Sequence, residues 1–501
     1  MFSRKSRQQI ALCAVGLLVV GCQSTQQWAA NRQESRSSKI DAVTSDEGQL
    51  STRLPAASEP VDEIMLTAGE ELEPQTEATA AAQAVGSDIE STTPDAGTPL
   101  TLAALEKLAL ENNPAIRQAS ASVSKASGFR DQVGRYANPT IAYSGQQLGD
   151  AGTDQHMMTL SQDIVTGDKL ALNQLVLNQS VQAQLWEVEA QRYRVLTDVR
   201  TTYYEALAAQ RRLTLATEFQ VVAAKGVRVA ESRKDALEGS QPEILQSEIQ
   251  LQEVELQQQQ AEFAMQAAWN ELAALIGLPD LAQSGLQGEL PTTAEPRDWE
   301  AVYVQLESES PELRAACSRV ARATANLRRQ DAQVTPNLQL QLGAGRDLGT
   351  NSDFAQVGVG VPVPIFNRNQ GNISAAHAEY CRATQDYQRL RMSLKARLAR
   401  AAQEHDSALV AVLRYEGQIL PKAEQSLKLS EQAYTAAEFD FIQVLTARRI
   451  YFDSNLRAVD ARRQLAQATT KIDGLLLSGG LSDTIDTSED DSLRGQALSG
   501  Q

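Results

Sequence analysis

The sequence predicts a mainly α-helical chain made of two copies of a long helical hairpin, with four β-strands that close into a barrel only when copies of the chain assemble. Three observations predict it. Ala, Gln, Leu, Glu and Arg recur while aromatic residues make up 5% of 501 residues, the composition of long helices and coiled coils. Landmark residues repeat at a spacing near 200 residues. Period-two alternation precedes the longest helical stretch.

At the N-terminus, Arg4, Lys5 and Arg7 form a positive region before an uncharged stretch, Ile10 to Gly21. That stretch is too short for a transmembrane helix and reads as a signal peptide over residues 1–22. Val19-Val20-Gly21-Cys22 resembles a lipobox, so Cys22 is the expected lipidation site, the alternative being an ordinary secretory signal. Gln23 follows it in place of the Asp that commonly retains lipoproteins in the inner membrane.

Residues 23–99 are rich in Ser, Thr, Ala, Glu, Asp and Pro without apolar periodicity, an expected disordered acidic tether. Fully extended, its roughly 75 residues would span on the order of 250 Å. Residues 481–501 have the same character. Folding arguments therefore apply to a first repeat, 100–290, and a second, 291–480.

Asn113-Pro114 and Ser310-Pro311 each open a helical stretch, and Pro139 and Pro336 each follow 25 residues after the first proline of the pair. Glu243-Ile244-Leu245 matches Gln443-Val444-Leu445 at an offset of 200. The offset at the prolines is 197, so one copy carries about three extra residues, placed by the sequence in the hairpin between the helices.

In the second copy Leu338, Leu340, Leu342 and Ala344 alternate with polar residues, giving a strand over about 337–345. A second strand covers about 354–364, with Ala355, Val357, Val359, Val361 and Val363 on one face and Gln356, Gly358 and Gly360 on the other. The Gly, Asp and Asn of 345–353 form the turn. Weaker counterparts are strands over about 139–147 and 155–164.

Beyond each hairpin runs a helix of unusual length. Leu394, Leu398, Ala401, His405, Leu409, Val412, Leu420, Ala423, Leu427 and Tyr434 hold one face from about 370 to 436, on the order of 100 Å of helix. Phe452, Val459 and Ala466 on the returning helix, like Ile249, Leu256 and Phe263 in the first copy, recur at sevens, the spacing of a coiled-coil seam.

Strands of about nine residues with one apolar face suit a membrane barrel. Four cannot close, and an open edge in lipid leaves N–H and C=O groups unpaired at several kcal/mol each. Copies of the chain must complete the barrel. Soluble β-ribbons on a periplasmic helical protein are the other reading of the same hairpins.

The run Val361-Pro362-Val363-Pro364-Ile365-Phe366-Asn367-Arg368-Asn369-Gln370-Gly371-Asn372-Ile373 resembles the barrel-to-helix junction of TolC-like outer membrane efflux proteins, in particular the branch serving cobalt, zinc and cadmium pumps. Gln162 to Lys169 occupies the equivalent place in the first copy. The resemblance covers nearly all of 100–480. It implies a homotrimer with a twelve-stranded barrel in outer-membrane lipid and a helical tunnel through the periplasm. The implied partners are a periplasmic adaptor (membrane fusion) protein and a proton-driven inner-membrane pump.

In such a protein Pro362, Pro364, Phe366, Arg368 and Gly371 mark the junction, and Lys169 or Arg368 would sit near the headgroups. The helix reversals Gly239-Ser240-Gln241-Pro242 and Ala437-Glu438-Phe439-Asp440 would be the tips that meet the adaptor. Asp440 would ring the entrance with negative charge and favour cations.

The chain carries net charge −17 and no basic stripe, which removes any electrostatic reason to bind nucleic acid. His156, His377 and His405 lie far apart, and His405 falls on the apolar helix face, a position for a hydrogen-bonded core histidine. Cys317 and Cys381 have no CxxC spacing and read as small packing residues; a disulfide between them stays open. No nucleophile elbow, phosphate loop or dinucleotide fingerprint occurs, so the expectation is no enzyme, no cofactor and no metal site. Two functions remain: an export duct for metals or for drugs and metabolites, and a coiled-coil scaffold lipoprotein that spans space without conducting.

Overall fold

A computed structural model describes residues 100–149, 152–436, 438 and 440–486. Cys22, the signal peptide, the tether, Ala437, Phe439 and the chain beyond residue 486 lie outside the described residues. In chain order the elements begin with β1 (Leu100–Thr101), α1 (Leu102–Asn112), α2 (Pro114–Val133), β2 (Thr140–Gln146), β3 (Gln155–Ile164), α3 (Lys169–Asp235) and α4 (Gln241–Ile276). The second half repeats them as β4 (Leu286–Gln287), α5 (Trp299–Glu309), α6 (Pro311–Ala332), β5 (Leu338–Asp347), β6 (Ser352–Gly360) and α7 (Gln370–Arg414). It ends with a π-helical turn (Tyr415–Ile419), α8 (Leu420–Thr435) and α9 (Phe441–Asp473).

Each short helix pair is articulated by the same device. Proline fits the first turn of a helix, where its missing N–H costs nothing, and a polar residue before it caps the exposed donors. Asn113 accepts from Ala115 and Ile116 N–H, and Ser310 accepts from Leu313 N–H. Asn113 is fully buried and also donates to the Leu275 carbonyl at 2.7 Å, tying α2 to the end of α4. There α4 stops at Gly277, whose φ of +83° requires glycine; a Cβ would also lie 2.7 Å from the Asn112 carbonyl oxygen.

The helices starting at 114 and 311 are 197 residues apart, those at 169 and 370 are 201 apart, and those at 241 and 441 are 200 apart. Four extra residues therefore lie in the second hairpin region, and one is returned before the second helix reversal. A core around Leu105, Tyr203, Trp269, Leu272 and Ile276 holds the first half together. A second core joins Leu306 and Leu313 to Leu394 and Leu398. The Tyr203 hydroxyl donates to the Gln287 carbonyl at 2.7 Å, anchoring the small parallel pair β1–β4 to α3.

With 67 residues, α3 runs about 100 Å. Its counterpart reaches a similar length with one irregularity. Pro421 cannot donate to the carbonyl four residues back, and its ring crowds that carbonyl. The helix responds by widening one turn: Leu420 N–H donates to the Tyr415 carbonyl, five residues back. Pro421→Ala is expected to return Leu420 to Glu416 and slow amide exchange across 415–420, read by hydrogen-exchange mass spectrometry.

At the C-terminus the chain does not leave the body at residue 481. Gly479 and Gly480 N–H both donate to Asp198, at 2.9 and 2.6 Å, and Asp486 pairs with Lys125 at 2.9 Å. Ile485 meanwhile lines a groove between α6 and α7. These anchors carry ordered chain five residues past the break that composition suggests.

Candidate functional site

The four longer strands form one antiparallel sheet in the order β2-β3-β5-β6. Residues paired across the ladder share a face, so the register sorts the side chains. Leu160 lies opposite Ile141 and Leu342, Leu342 opposite Val357, and Leu340 opposite Val359. This face is apolar and open to the surroundings: Ile141 is 69% exposed, Val357 71% and Val359 68%. The opposite face carries Thr159, Ser161, Gln339, Gln341, Gln356 and four glycines, Gly343, Gly345, Gly358 and Gly360, with Met157 and Phe354 beside Gly345 at the hairpin end.

Polar groups close the apolar face at the hairpin end. The Tyr143 hydroxyl lies 2.7 Å from His156 Nδ1 with the rings stacked, and Arg346 stands 3.8 Å from Asp353. Such an apolar band with an aromatic and charged rim is the pattern of a lipid-facing barrel wall. Within the chain β2 and β6 are both edges, the arrangement that requires further copies.

The junction below the sheet differs from expectation in one respect. Pairing stops at Gly360, not near 364, because Val361 leads into Pro362 and Pro364, which cannot donate. Val363, Ile365 and Phe366 follow, 73%, 61% and 92% exposed, an apolar run between the sheet and α7. Arg368 is exposed, its backbone N–H donating to Gln370 Oε1. Gly371 sits in the first turn of α7, where an added Cβ would meet nothing within 4 Å.

Both long helices start from a left-handed residue, Asp168 (φ 54°) in one copy and Asn369 (φ 58°) in the other, types that tolerate this conformation. Asn369 is buried and its Nδ2 donates to the Gln330 carbonyl at 2.8 Å. Lys169, expected near the headgroups, is instead 1% exposed. Its ammonium donates to the Thr335 carbonyl and Asn337 Oδ1, both at 2.6 Å, so two local acceptors hold it inside. Burial and the nearby Arg329 guanidinium lower its pKa. Burial alone brings Arg329 down to about 10.

At the far end the two reversals meet. After α3, Leu237 takes φ 63°, and Glu238 and Gly239 N–H both donate to the Arg233 carbonyl. Ser240 precedes α4 and its hydroxyl donates to Glu243; Gln241 accepts from Lys234 at 2.6 Å, and Pro242 occupies the first helical turn. In the second reversal Glu438 N–H donates to Ala433 O, and exposed Asp440 caps α9 with its carbonyl, which accepts from Gln443 N–H at 3.0 Å.

A latch joins these two turns. Arg233 donates to the Tyr434 hydroxyl at 3.1 Å and to the Glu238 carbonyl at 3.0 Å, with its guanidinium 5.4 Å from the Tyr434 ring centre. Beneath it Ala230, Ile244, Phe441 and Leu445 form a small apolar core. Sequence reasoning missed the latch, since its two residues lie 201 positions apart.

His405 is fully buried, 3.1 Å from Asp406 and edge-on to Trp299. Cys317 and Cys381 are both free and exposed, correcting their reading as packing residues; each points off the buried helix face held by neighbours such as Ala316 and Ala383. Among the described residues no group of three or more His, Cys, Asp or Glu stands together as metal ligands.

A family model described as outer membrane efflux protein matches the chain over residues 105–278 and 302–476. The chain belongs to that family. This outer membrane efflux protein is 29% identical to the cobalt-zinc-cadmium resistance protein CzcC of Cupriavidus metallidurans, over 56% of its own length and 67% of the relative's. It is 27% identical to protein CyaE of Bordetella pertussis, over 59% and 66%. The chain thus spans about two thirds of these curated relatives.

Among solved structures, the outer membrane protein VceC from Vibrio cholerae superposes with a TM-score of 0.64 at 20% identity, covering 75% of this chain and 96% of that one. CusC superposes at 0.61 with 19% identity, covering 78% and 96%. The efflux protein therefore has the TolC-like fold, long helical hairpins below a small sheet, and its family is one of outer-membrane channels rather than enzymes.

Proposed function

We propose that this efflux protein is the passive outer-membrane duct of a tripartite export pump, working as a homotrimer. The carrying observation is the sheet: one apolar face, one polar face and two free edges above helices about 100 Å long. Three copies supply twelve strands and close the barrel, with glutamine, serine and threonine side chains toward the lumen. The helices extend the passage into the periplasm, where the reversals at Gly239–Pro242 and Ala437–Asp440 meet the adaptor. Energy comes from the inner-membrane pump, since a duct needs no chemistry of its own. Cys22 carries the lipid anchor, and the acidic segment 23–99 tethers it to the body.

Heavy-metal cations are the cargo class we favour, on the relationship to a cobalt-zinc-cadmium resistance protein and the acidic balance of the chain. Planar-bilayer conductance of detergent-extracted protein, with its oligomeric mass, tests the duct. Discrete openings from a trimer are expected; a water-soluble, non-conducting assembly would leave the scaffold reading. Three Asp440 carboxylates at one entrance add their fields, so Asp440→Asn is expected to lower cation preference in reversal-potential measurements. An unchanged reversal potential would remove Asp440 from the selectivity argument.

A further inference from the structure

About two turns into α7 a thiol and an imidazole stand side by side. His377 and Cys381 are four residues apart, so one helix face carries both, and Cys381 Sγ lies 3.9 Å from His377 Nδ1. Both side chains are exposed and the thiol is free. Among the described residues neither group has another hydrogen-bond partner. The pair lies off the buried stripe of Ala376, Ala383, Leu394 and Leu398, in the company of exposed Ser374, Gln385 and Gln388. Polar neighbours of this kind suit a face in contact with water.

Sulfur is the ligand that soft cations select, and imidazole suits the same metals. A spacing of four residues is also the one by which a helix offers two ligands to one metal. A cation about 2.3 Å from the sulfur and about 2.0 Å from the nitrogen would span the 3.9 Å gap with an angle of about 130° at the metal. The longer bonds of a larger soft cation narrow that angle toward the tetrahedral value. We propose that Cys381 Sγ and His377 Nδ1 form an open, two-ligand site for a thiophilic divalent cation larger than zinc, with water completing its coordination. Binding makes one sulfur–metal and one nitrogen–metal bond, and the thiol proton leaves to water. Two protein ligands are fewer than the four of a structural metal site, so the cation exchanges with solvent and the fold does not depend on it. The site goes beyond the duct reading and does not rest on it, since a non-conducting assembly with the same helix would bind equally.

Cadmium titration of the detergent-extracted full chain tests the site, with bound metal counted by equilibrium dialysis and the thiolate followed by sulfur-to-cadmium charge-transfer absorption. Every protein carries Cys317→Ser, which leaves Cys381 as the one thiol among the described residues. One cadmium per chain is expected, and a further Cys381→Ser should abolish both signals. His377→Gln should weaken binding by about tenfold or more, the least that losing even an outer-sphere partner costs a metal site. All three positions are exposed, where substitutions seldom disturb folding. Affinity unchanged in His377→Gln would mean a single thiol acting alone and would overturn the proposal, as would no uptake at all or absorption undiminished in Cys381→Ser. Conductance enters neither readout, so the site and the duct stand or fall separately.

Discussion

Leu342→Arg is expected to block membrane assembly, whereas Gln341→Arg, one residue away, leaves it intact. Leu342 stands midway along the apolar face, between Leu160 on β3 and Val357 on β6. An arginine at the bilayer midplane of a barrel wall costs about 2–4 kcal/mol, so three copies in a trimer bring roughly 6–12 kcal/mol. That is comparable to the whole stability of an ordinary domain. Gln341 belongs to the opposite face with Gly358 as its neighbour on β6, and an arginine there reaches into water. The test is the heat-sensitive trimer band in the outer-membrane fraction. Its loss in Leu342→Arg and persistence in Gln341→Arg is the expected pair, with lowered cation conductance in the second. The reverse pattern would mean that the faces have been assigned the wrong way round.

That contrast was legible in the sequence because strand side chains alternate with period two. Leu338 to Ala344 announces its two faces before any partner is known. The long helices were legible for a similar reason, since nine apolar residues and His405 over about forty residues leave one continuous stripe. Asn113-Pro114 and Ser310-Pro311 were legible through local chemistry alone, a cap followed by a residue that needs no donor. What escaped depends on residues far apart in the chain. Nothing near Lys169 says that Thr335 and Asn337 will take its ammonium inside, and a lysine beside a barrel reads as interfacial by default. The exposed cysteines escaped because a single-residue turn around a helix moves a side chain from core to surface, and a stripe cannot be phased that finely from spacing. The end of β6 at Gly360 was missed because alternation runs on through Val361 and Val363, although Pro362 and Pro364 between and after them cannot donate to a ladder.

Arg233→Ala is expected to raise the open probability of the reconstituted channel. Where the periplasmic end opens by moving the α8–α9 reversal relative to the α3–α4 reversal, the Arg233 bridge to Tyr434 would resist the movement together with the apolar core below it. It contributes a hydrogen bond to Tyr434, worth about 1 kcal/mol, and a cation–π contact with the same ring, worth about 0.5–1 kcal/mol. Removing both shifts the balance by about 2 kcal/mol per chain, or roughly thirtyfold in the ratio of open to closed ends. Tyr434→Phe keeps the ring under the guanidinium and loses only the hydroxyl, so its effect should be smaller, on the order of tenfold or less. The apolar core of Ala230, Ile244, Phe441 and Leu445 does not involve the Arg233 side chain, which lets the variant fold and keeps the comparison one of gating. Single-channel recording orders the three proteins: wild type lowest, Tyr434→Phe between, Arg233→Ala highest. If all three conduct alike, the bridge is a structural tie between turns that move together, and the gate must lie elsewhere along the tunnel.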